Sequence, residues 1–176
     1  EKGSDQTGNG TKEFPFQTLT EAIKHHNGPT AFIMGKGIYN SVRLDSGVYQ
    51  EKLAFIGQGK DTIFNITGTL TRDTGTGPLR ANLYFYDLVW EGNNLGGTDY
   101  MMLGNSSWYF YNVVFKNIRD CRDGYFMATQ ANCTLSFENC IKVSPSKDFI
   151  SHYSGAQNGR NVLIKNCYGA WNDLGY

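Results

Sequence analysis

Apolar and polar residues alternate along this chain in short stretches that repeat one another. Four of them, residues 83–90, 108–115, 135–142 and 162–169, align without gaps as apolar, x, apolar, x, Asn or Asp, apolar. The shared Asn or Asp falls at Asp87, Asn112, Asn139 and Asn166, so the repeats are 25, 27 and 27 residues apart. Upstream, Ile33-Met34-Gly35-Lys36-Gly37 and Phe55-Ile56-Gly57-Gln58-Gly59 match at a spacing of 22. Period-2 alternation marks strands with one buried face, and a near-constant period stacks equivalent strands in parallel. The pattern predicts an all-β chain wound as a single-stranded parallel β-helix of about six to seven coils, right-handed because parallel crossovers within a sheet almost always are.

The alternation assigns faces. Leu83, Phe85, Leu88 and Trp90 are expected inside, with Trp108, Phe110, Val113 and Phe115, then Leu135, Phe137 and Cys140, then Val162, Ile164 and Cys167 in the same columns. Asp87, Asn112, Asn139 and Asn166 fall where the strand has to bend, and short polar side chains there can bond the corner backbone and one another, forming a structural ladder. An open end of such a winding exposes core and unpaired strand edges, so it needs a cap. Thr18-Leu19-Thr20-Glu21 fits a capping box, with Leu19, Ala22 and Ile23 on one side of a short helix ending near Asn27-Gly28. Residues 1–28 are therefore expected to form an opening loop and capping helix, and 29–176 the stacked coils, all in one domain and all excised from a longer chain.

Composition sharpens this picture by exclusion. Lysine plus arginine and aspartate plus glutamate number 16 each, so no global field gathers nucleic acid or an anionic membrane. Only 18% of the 176 residues are charged, while 21 Gly, 11 Tyr and 11 Phe favour strands and tight turns. No apolar run is long enough to span a membrane, and no leader peptide is visible in these residues, which leaves a secretion signal upstream open. Cys121, Cys133, Cys140 and Cys167 lack the paired C-x-x-C spacing of a zinc site, and no metal site is expected. The sequons at Asn9, Asn65, Asn105 and Asn132 carry no weight in an Asn- and Thr-rich chain.

Several motifs resemble a known family. Gly3-Ser4-Asp5, Gly8-Asn9-Gly10-Thr11, Pro15-Phe16-Gln17-Thr18-Leu19 and Glu21-Ala22-Ile23 resemble the opening motif of right-handed parallel β-helix proteins of the pectate-lyase-like superfamily. Phe32 to Tyr39 resembles the strand and turn that follow it, and Leu53 to Thr62 the next coil. The resemblance implies the fold over essentially the whole chain. It leaves function open, because the superfamily includes polysaccharide lyases and hydrolases, pectin methylesterases, phage tailspikes and fibres, and surface adhesins.

Candidate chemistry sits in two places. Asp148-Phe149-Ile150 resembles the nucleophile strand of pectin methylesterases, which would make Asp148 catalytic, but Ser151-His152 departs from that motif and its glutamine and Arg-Pro-Trp partners have no counterpart. Asp120, Asp148 and Asp173 fall eight, nine and seven residues after their Asx positions, so they would line one corner with Asp123 and His152 nearby. Carboxylates a few ångström apart raise one another's pKa, which suits glycosidic acid and base chemistry or calcium binding. The plain alternative is a solvated corner neutralised by Arg119 or Arg122. The second place is aromatic. Tyr84 and Tyr86 should point outward, with Tyr109 and Tyr111 in the same columns one coil later, forming a flat platform that stacks on sugar rings. A covering loop such as 71–78, or a neighbouring chain, would make the same residues packing instead.

Two smaller features are structural. Glu138 and Lys165 should pair across neighbouring coils on the outer face, and 57–62 lacks the spacer and setting of a phosphate loop. Cys140 and Cys167 should be stacked core neighbours and reduced, since a disulfide between in-register parallel strands is awkward.

The expectation is a non-catalytic β-helix module of a phage tail fibre or bacterial surface protein, facing polysaccharide or cell-surface glycan at an extracellular or virion surface, with a homotrimer as one assembly. It needs no cofactor. The alternative is a polysaccharide lyase or glycoside hydrolase acting through Asp120, Asp123, Asp148 and His152, with calcium in the lyase case.

Overall fold

A computed structural model describes residues 3–41, 52–66, 82–92, 107–117, 127–129, 134–143, 150–152 and 161–169, the segments 127–129 and 150–152 as backbone only. It is mostly β, with parallel sheets and one short helix, α1 (Leu19–Lys24). In chain order the strands are β1 (Thr30–Ile33), β2 (Gly37–Asn40), β3 (Lys52–Ile56), β4 (Thr62–Asn65), β5 (Asn82–Tyr86), β6 (Val89–Glu91), β7 (Ser107–Tyr111), β8 (Val114–Lys116), β9 (Met127–Thr129), β10 (Thr134–Glu138), β11 (Ile141–Lys142), β12 (Ile150–His152) and β13 (Asn161–Lys165).

The long sheet runs β1-β3-β5-β7-β10-β13, the second β11-β8-β6-β4-β2, and a short one pairs β12 with β9. Every pairing is parallel. Between successive strands of the long sheet the chain always visits the second. Parallel neighbours cannot be joined by a tight hairpin, so this alternation lets short strands build two extended parallel sheets.

The two sheets share one core. Phe85 of the long sheet meets Trp90 of the second edge-on at 4.6 Å, and Phe110 meets Phe115 at 5.2 Å. Along the long sheet Phe32, Phe55, Phe85, Phe110 and Phe137 stack face to face at 5.0–5.3 Å. A parallel in-register sheet places like residues one strand spacing apart, so a repeated Phe becomes a continuous aromatic stack. The expected inward residues Leu83, Phe85, Leu88, Trp90, Trp108, Phe110, Val113, Phe115, Leu135, Phe137 and Cys140 are all buried. Val162 and Cys167 are half-buried and pack on this core, whereas Ile164, in register with Phe137, is 41% exposed. It lies on β13, which has a described neighbour on one side only.

The register of the first two strands differs from the expected one. Glycine matching aligned Ile33 with Phe55, but Ile33 pairs with Ile56 and Phe32 with Phe55, a spacing of 23. The hydrophobic face decides: a one-residue slip would turn Phe32 outward and Ile33 inward. The glycines fall out of step because the corner after β3 is longer than that after β1.

The Asx ladder is a set of left-handed corners. Asp87, Asn112, Asn139 and Asn166 have φ of 52°, 54°, 54° and 51°. Among L residues Asn and Asp tolerate this region best, which is why they recur. The Asn112 amide donates to Asp87 Oδ1 at 2.6 Å, and the backbone N–H groups of Asp87, Asn112 and Asn139 donate to Tyr111, Glu138 and Lys165 carbonyls. Asn117, unremarked in the sequence, takes the same conformation at φ 51° after β8 and donates to Glu91 Oε1 at 2.8 Å.

The helix ends at Lys24, earlier than Asn27-Gly28 suggested. Leu19 and Ile23 are buried in the common core with Ala22 packed against it. Thr18 Oγ1 accepts the Glu21 N–H, but the return bond of a capping box is missing because Glu21 engages Lys24 and His25 instead. Asp5 replaces it. Its carboxylate accepts the backbone N–H of Gln17 and Thr18 and the Thr18 hydroxyl, all at 2.8 Å, and these bonds hold its pKa below the usual value. The opening Gly3-Ser4-Asp5 is thereby tied to the helix start.

Candidate functional site

The outer face of the long sheet carries three columns. Alternation along each strand sends Tyr84 and Tyr86 outward in turn with buried Leu83 and Phe85, and Tyr109 and Tyr111 outward in turn with Trp108 and Phe110. Pairing of β5 with β7 then sets Tyr84 beside Tyr109 and Tyr86 beside Tyr111. The middle column reads Ala31, Ala54, Tyr84, Tyr109, Ser136, Leu163, and the third Ile33, Ile56, Tyr86, Tyr111, Glu138, Lys165. The first reads Lys52, Asn82, Ser107, Thr134, Asn161. A double tyrosine column is thus flanked by amides and hydroxyls on one side and aliphatic side chains at one end.

The rings do not lie flat on the sheet. Tyr84 and Tyr109 are parallel within 10° with centroids 4.6 Å apart, and parallel rings that close must overlap face to face. Their planes therefore stand up from the sheet, facing along the column. Tyr86 keeps the plane of Tyr84 within 1° at 6.3 Å, while Tyr111 is tilted by 50° from Tyr86 and is 42% exposed. Desolvation by this packing, together with Tyr109 and Tyr86 nearby, raises the Tyr84 pKa above that of a free phenol. What is presented is a row of hydroxyl-bearing edges with a ring face at each end of the stack, rather than the flat platform expected from the sequence.

Beyond the tyrosines, Lys165 Nζ donates to Glu138 Oε1 at 2.6 Å, the pair expected from register. This contact raises the lysine pKa.

The other candidate residues are not brought into view. Asp120, Asp123, Asp148 and Asp173, with Arg119 and Arg122, lie outside the described residues, as do loop 71–78, Cys121 and Cys133. The backbone of His152 lies on β12, in register with Thr129. Among the described residues no group of three His, Cys, Asp or Glu could hold a metal ion. Cys140 and Cys167 are free thiols, and burial pushes the Cys140 thiol up to about 12. Residues 57–61 form a corner and Thr62 opens β4, tied by Thr62 Oγ1 donating to the Gly35 carbonyl at 2.9 Å and by Lys36 to Asp61 at 2.9 Å.

One residue escaped the reading of the sequence. Lys142 is in register with Phe115, in the inward column, and only 4% exposed. The alignment contained the signal, because Lys142 matches Trp90 and Phe115 of earlier repeats. A charged group at an apolar position is more informative than an apolar one.

No known protein family, curated protein or solved structure matches this chain.

Proposed function

We propose that this chain is a segment of a right-handed parallel β-helix of the pectate-lyase-like kind, acting as a non-catalytic module whose tyrosine face binds carbohydrate at an extracellular, cell or virion surface. The alternation of the chain between two parallel sheets, with repeated left-handed corners, supports the winding. The observation that carries the function is the outward double column of Tyr84, Tyr86, Tyr109 and Tyr111 beside the polar column of Asn82, Ser107, Thr134 and Asn161. Aromatic surface next to hydroxyl and amide groups is the pairing sugars need, since a pyranose has apolar C–H faces and a rim of hydroxyls.

The test is a glycan array with the protein, followed by titration of the double variant Tyr86→Ala, Tyr111→Ala. Both side chains point out of the core, so the melting temperature should barely move. Glycan affinity should fall by about 1–3 kcal/mol, the size of aromatic stacking on a ligand together with its buried area. A large drop in melting temperature with unchanged binding would assign the tyrosines to packing. Among the described residues no observation favours catalysis through Asp120, Asp123, Asp148 and His152.

A further inference from the structure

The tyrosine stack stops abruptly at one end. Tyr109 turns one ring face to Tyr84, and its other face looks toward the next strand, where the column holds only Ser136. One strand further on comes Leu163, in register with Ser136 and 53% exposed. A small residue between two large ones leaves a step. Its walls stand two strand spacings apart, about 9.6 Å. A ring slipped between them needs about 3.5–4.0 Å of contact distance to each wall, or about 7–8 Å in all. One ring fits and two do not.

The flanks of the step say what kind of ring. On one side Thr134 and Asn161 occupy the polar column, and the Ser107 hydroxyl beside them accepts the Thr134 N–H at 3.1 Å. On the other side Glu138 and Lys165 neutralise each other at 2.6 Å. A carboxylate on the guest would meet the like charge of Glu138 beside a lysine already neutralised by it, so the pair offers an acidic ring no net attraction. An uncharged ring with hydroxyls at its rim has donors and acceptors on both flanks and an aromatic face against which to lie.

We infer that the step above Ser136, between Tyr109 and Leu163, is a subsite for a single neutral pyranose residue stacked on the outer face of Tyr109. This rests on the carbohydrate reading of the face and names both the position and the charge class of the sugar.

Two substitutions at one outward position test it. Ser136→Phe extends the tyrosine stack and fills the step, whereas Ser136→Ala leaves it open. The probes are neutral oligosaccharides of glucose, galactose, mannose and N-acetylglucosamine, with oligogalacturonate of equal length as the acidic counterpart, titrated calorimetrically. The wild-type protein should bind at least one neutral probe about tenfold or more tighter than oligogalacturonate. Ser136→Phe should weaken that binding at least about tenfold, a difference of about 1.4 kcal/mol, while Ser136→Ala stays within about threefold. Amide shift mapping on the wild-type protein gives the same answer without a substitution, through perturbation at Ser136, Tyr109 and Leu163. Binding that survives Ser136→Phe but is lost in Tyr86→Ala, Tyr111→Ala would overturn the step while leaving the carbohydrate reading intact. Tighter binding of oligogalacturonate would overturn the neutral assignment. Absence of binding by the wild-type protein to any probe would overturn both, as would a sedimentation result in which Ser136→Phe abolishes self-association and no sugar competes.

Discussion

The first repeats of this protein and the later ones make the same bend between the same two sheets by different means. From β5 onward each described bend from the long sheet toward the second holds two residues, Asp87-Leu88, Asn112-Val113, Asn139-Cys140 and Asn166-Cys167, with the first at φ between 51° and 54°. Earlier, the corner after β1 is 34–36 and the corner after β3 is 57–61, which contains a single 3₁₀ turn, Gly59–Asp61. There glycines and side-chain bridges replace the Asx residue. Gly59 takes φ +74°, Gln58 N–H donates to Thr62 Oγ1 at 2.9 Å, and Thr62 reaches back to Gly35. A two-residue corner fixes the offset between the sheets, so successive repeats stay in step and like side chains stack. Corners of differing length break that step and need their own ties.

Asp87 joins the two regimes. Its carbonyl accepts the Gly59 N–H at 2.6 Å, and its carboxylate accepts the Asn112 amide. The neighbour on its other side, Gly57, has no side chain to receive a donated hydrogen, so an acceptor-only carboxylate suits the end of the ladder where an amide suits its middle.

The early corner is most sensitive at Gly57. A Cβ there would lie 2.4 Å from the Asp87 carbonyl oxygen and 2.8 Å from Leu88 Cβ, both held by the next repeat. Gly57→Ala should therefore cost about 3 kcal/mol, at the upper end of overpacking, measured by denaturant unfolding. A cost below about 1 kcal/mol would show that the early corner yields where the geometry says it cannot.

Asn112 sharpens the later regime. Asn112→Ala keeps the left-handed corner but loses the bond to Asp87 and the Asx tolerance of positive φ, for about 2 kcal/mol in all. Asn112→Gly loses only the bond and should cost about 1 kcal/mol. Equal costs for the two would remove backbone conformation from the explanation.

Titration separates the regions further, with smaller effects. Asp5 has a lowered pKa in the folded protein, so its contribution is present above its ordinary value of 3.8 and is lost as pH falls through the folded value. The protection of the Gln17 and Thr18 amides against hydrogen exchange, taken relative to the intrinsic rate at each pH, should fall on acidification, and Asp5→Asn should lower it at neutral pH. Cys140, in the later region, behaves oppositely. Its folded pKa is about 12 against 9.0, so its contribution is full below pH 9 and fades as pH rises toward 12. Cys140→Val should flatten the alkaline loss of stability slightly, and the native thiol should resist alkylation at pH 8 while unfolded protein reacts.

Much of this architecture was written locally. The period-2 alternation named the buried residues from Leu83 to Cys140, the Asx spacing located the corners, and Thr18 with Leu19 and Ile23 located the short helix. Each depends on a residue's own position in a strand or first turn. Where two signals competed, the weaker local one misled: the glycines around 35–37 and 57–59 matched at a spacing their corners do not keep, and the alternation of Phe32 and Phe55 was the better guide. The tyrosine columns were legible, but the orientation of their rings was not.

Sequence alone determined which face each residue of β5, β7 and β10 occupies, because side-chain direction in a strand is fixed by parity and parity is a property of the chain. Tertiary structure decided what those faces amount to. Only the stacking of β7 on β5 could stand Tyr109 against Tyr84, only the pairing of β7, β10 and β13 could leave Ser136 as a gap before Leu163, and only the fold could bring Asp5 to the start of a helix thirteen residues away. Contacts between distant parts of the chain depend on corner lengths and packing together, and no short stretch of residues carries both.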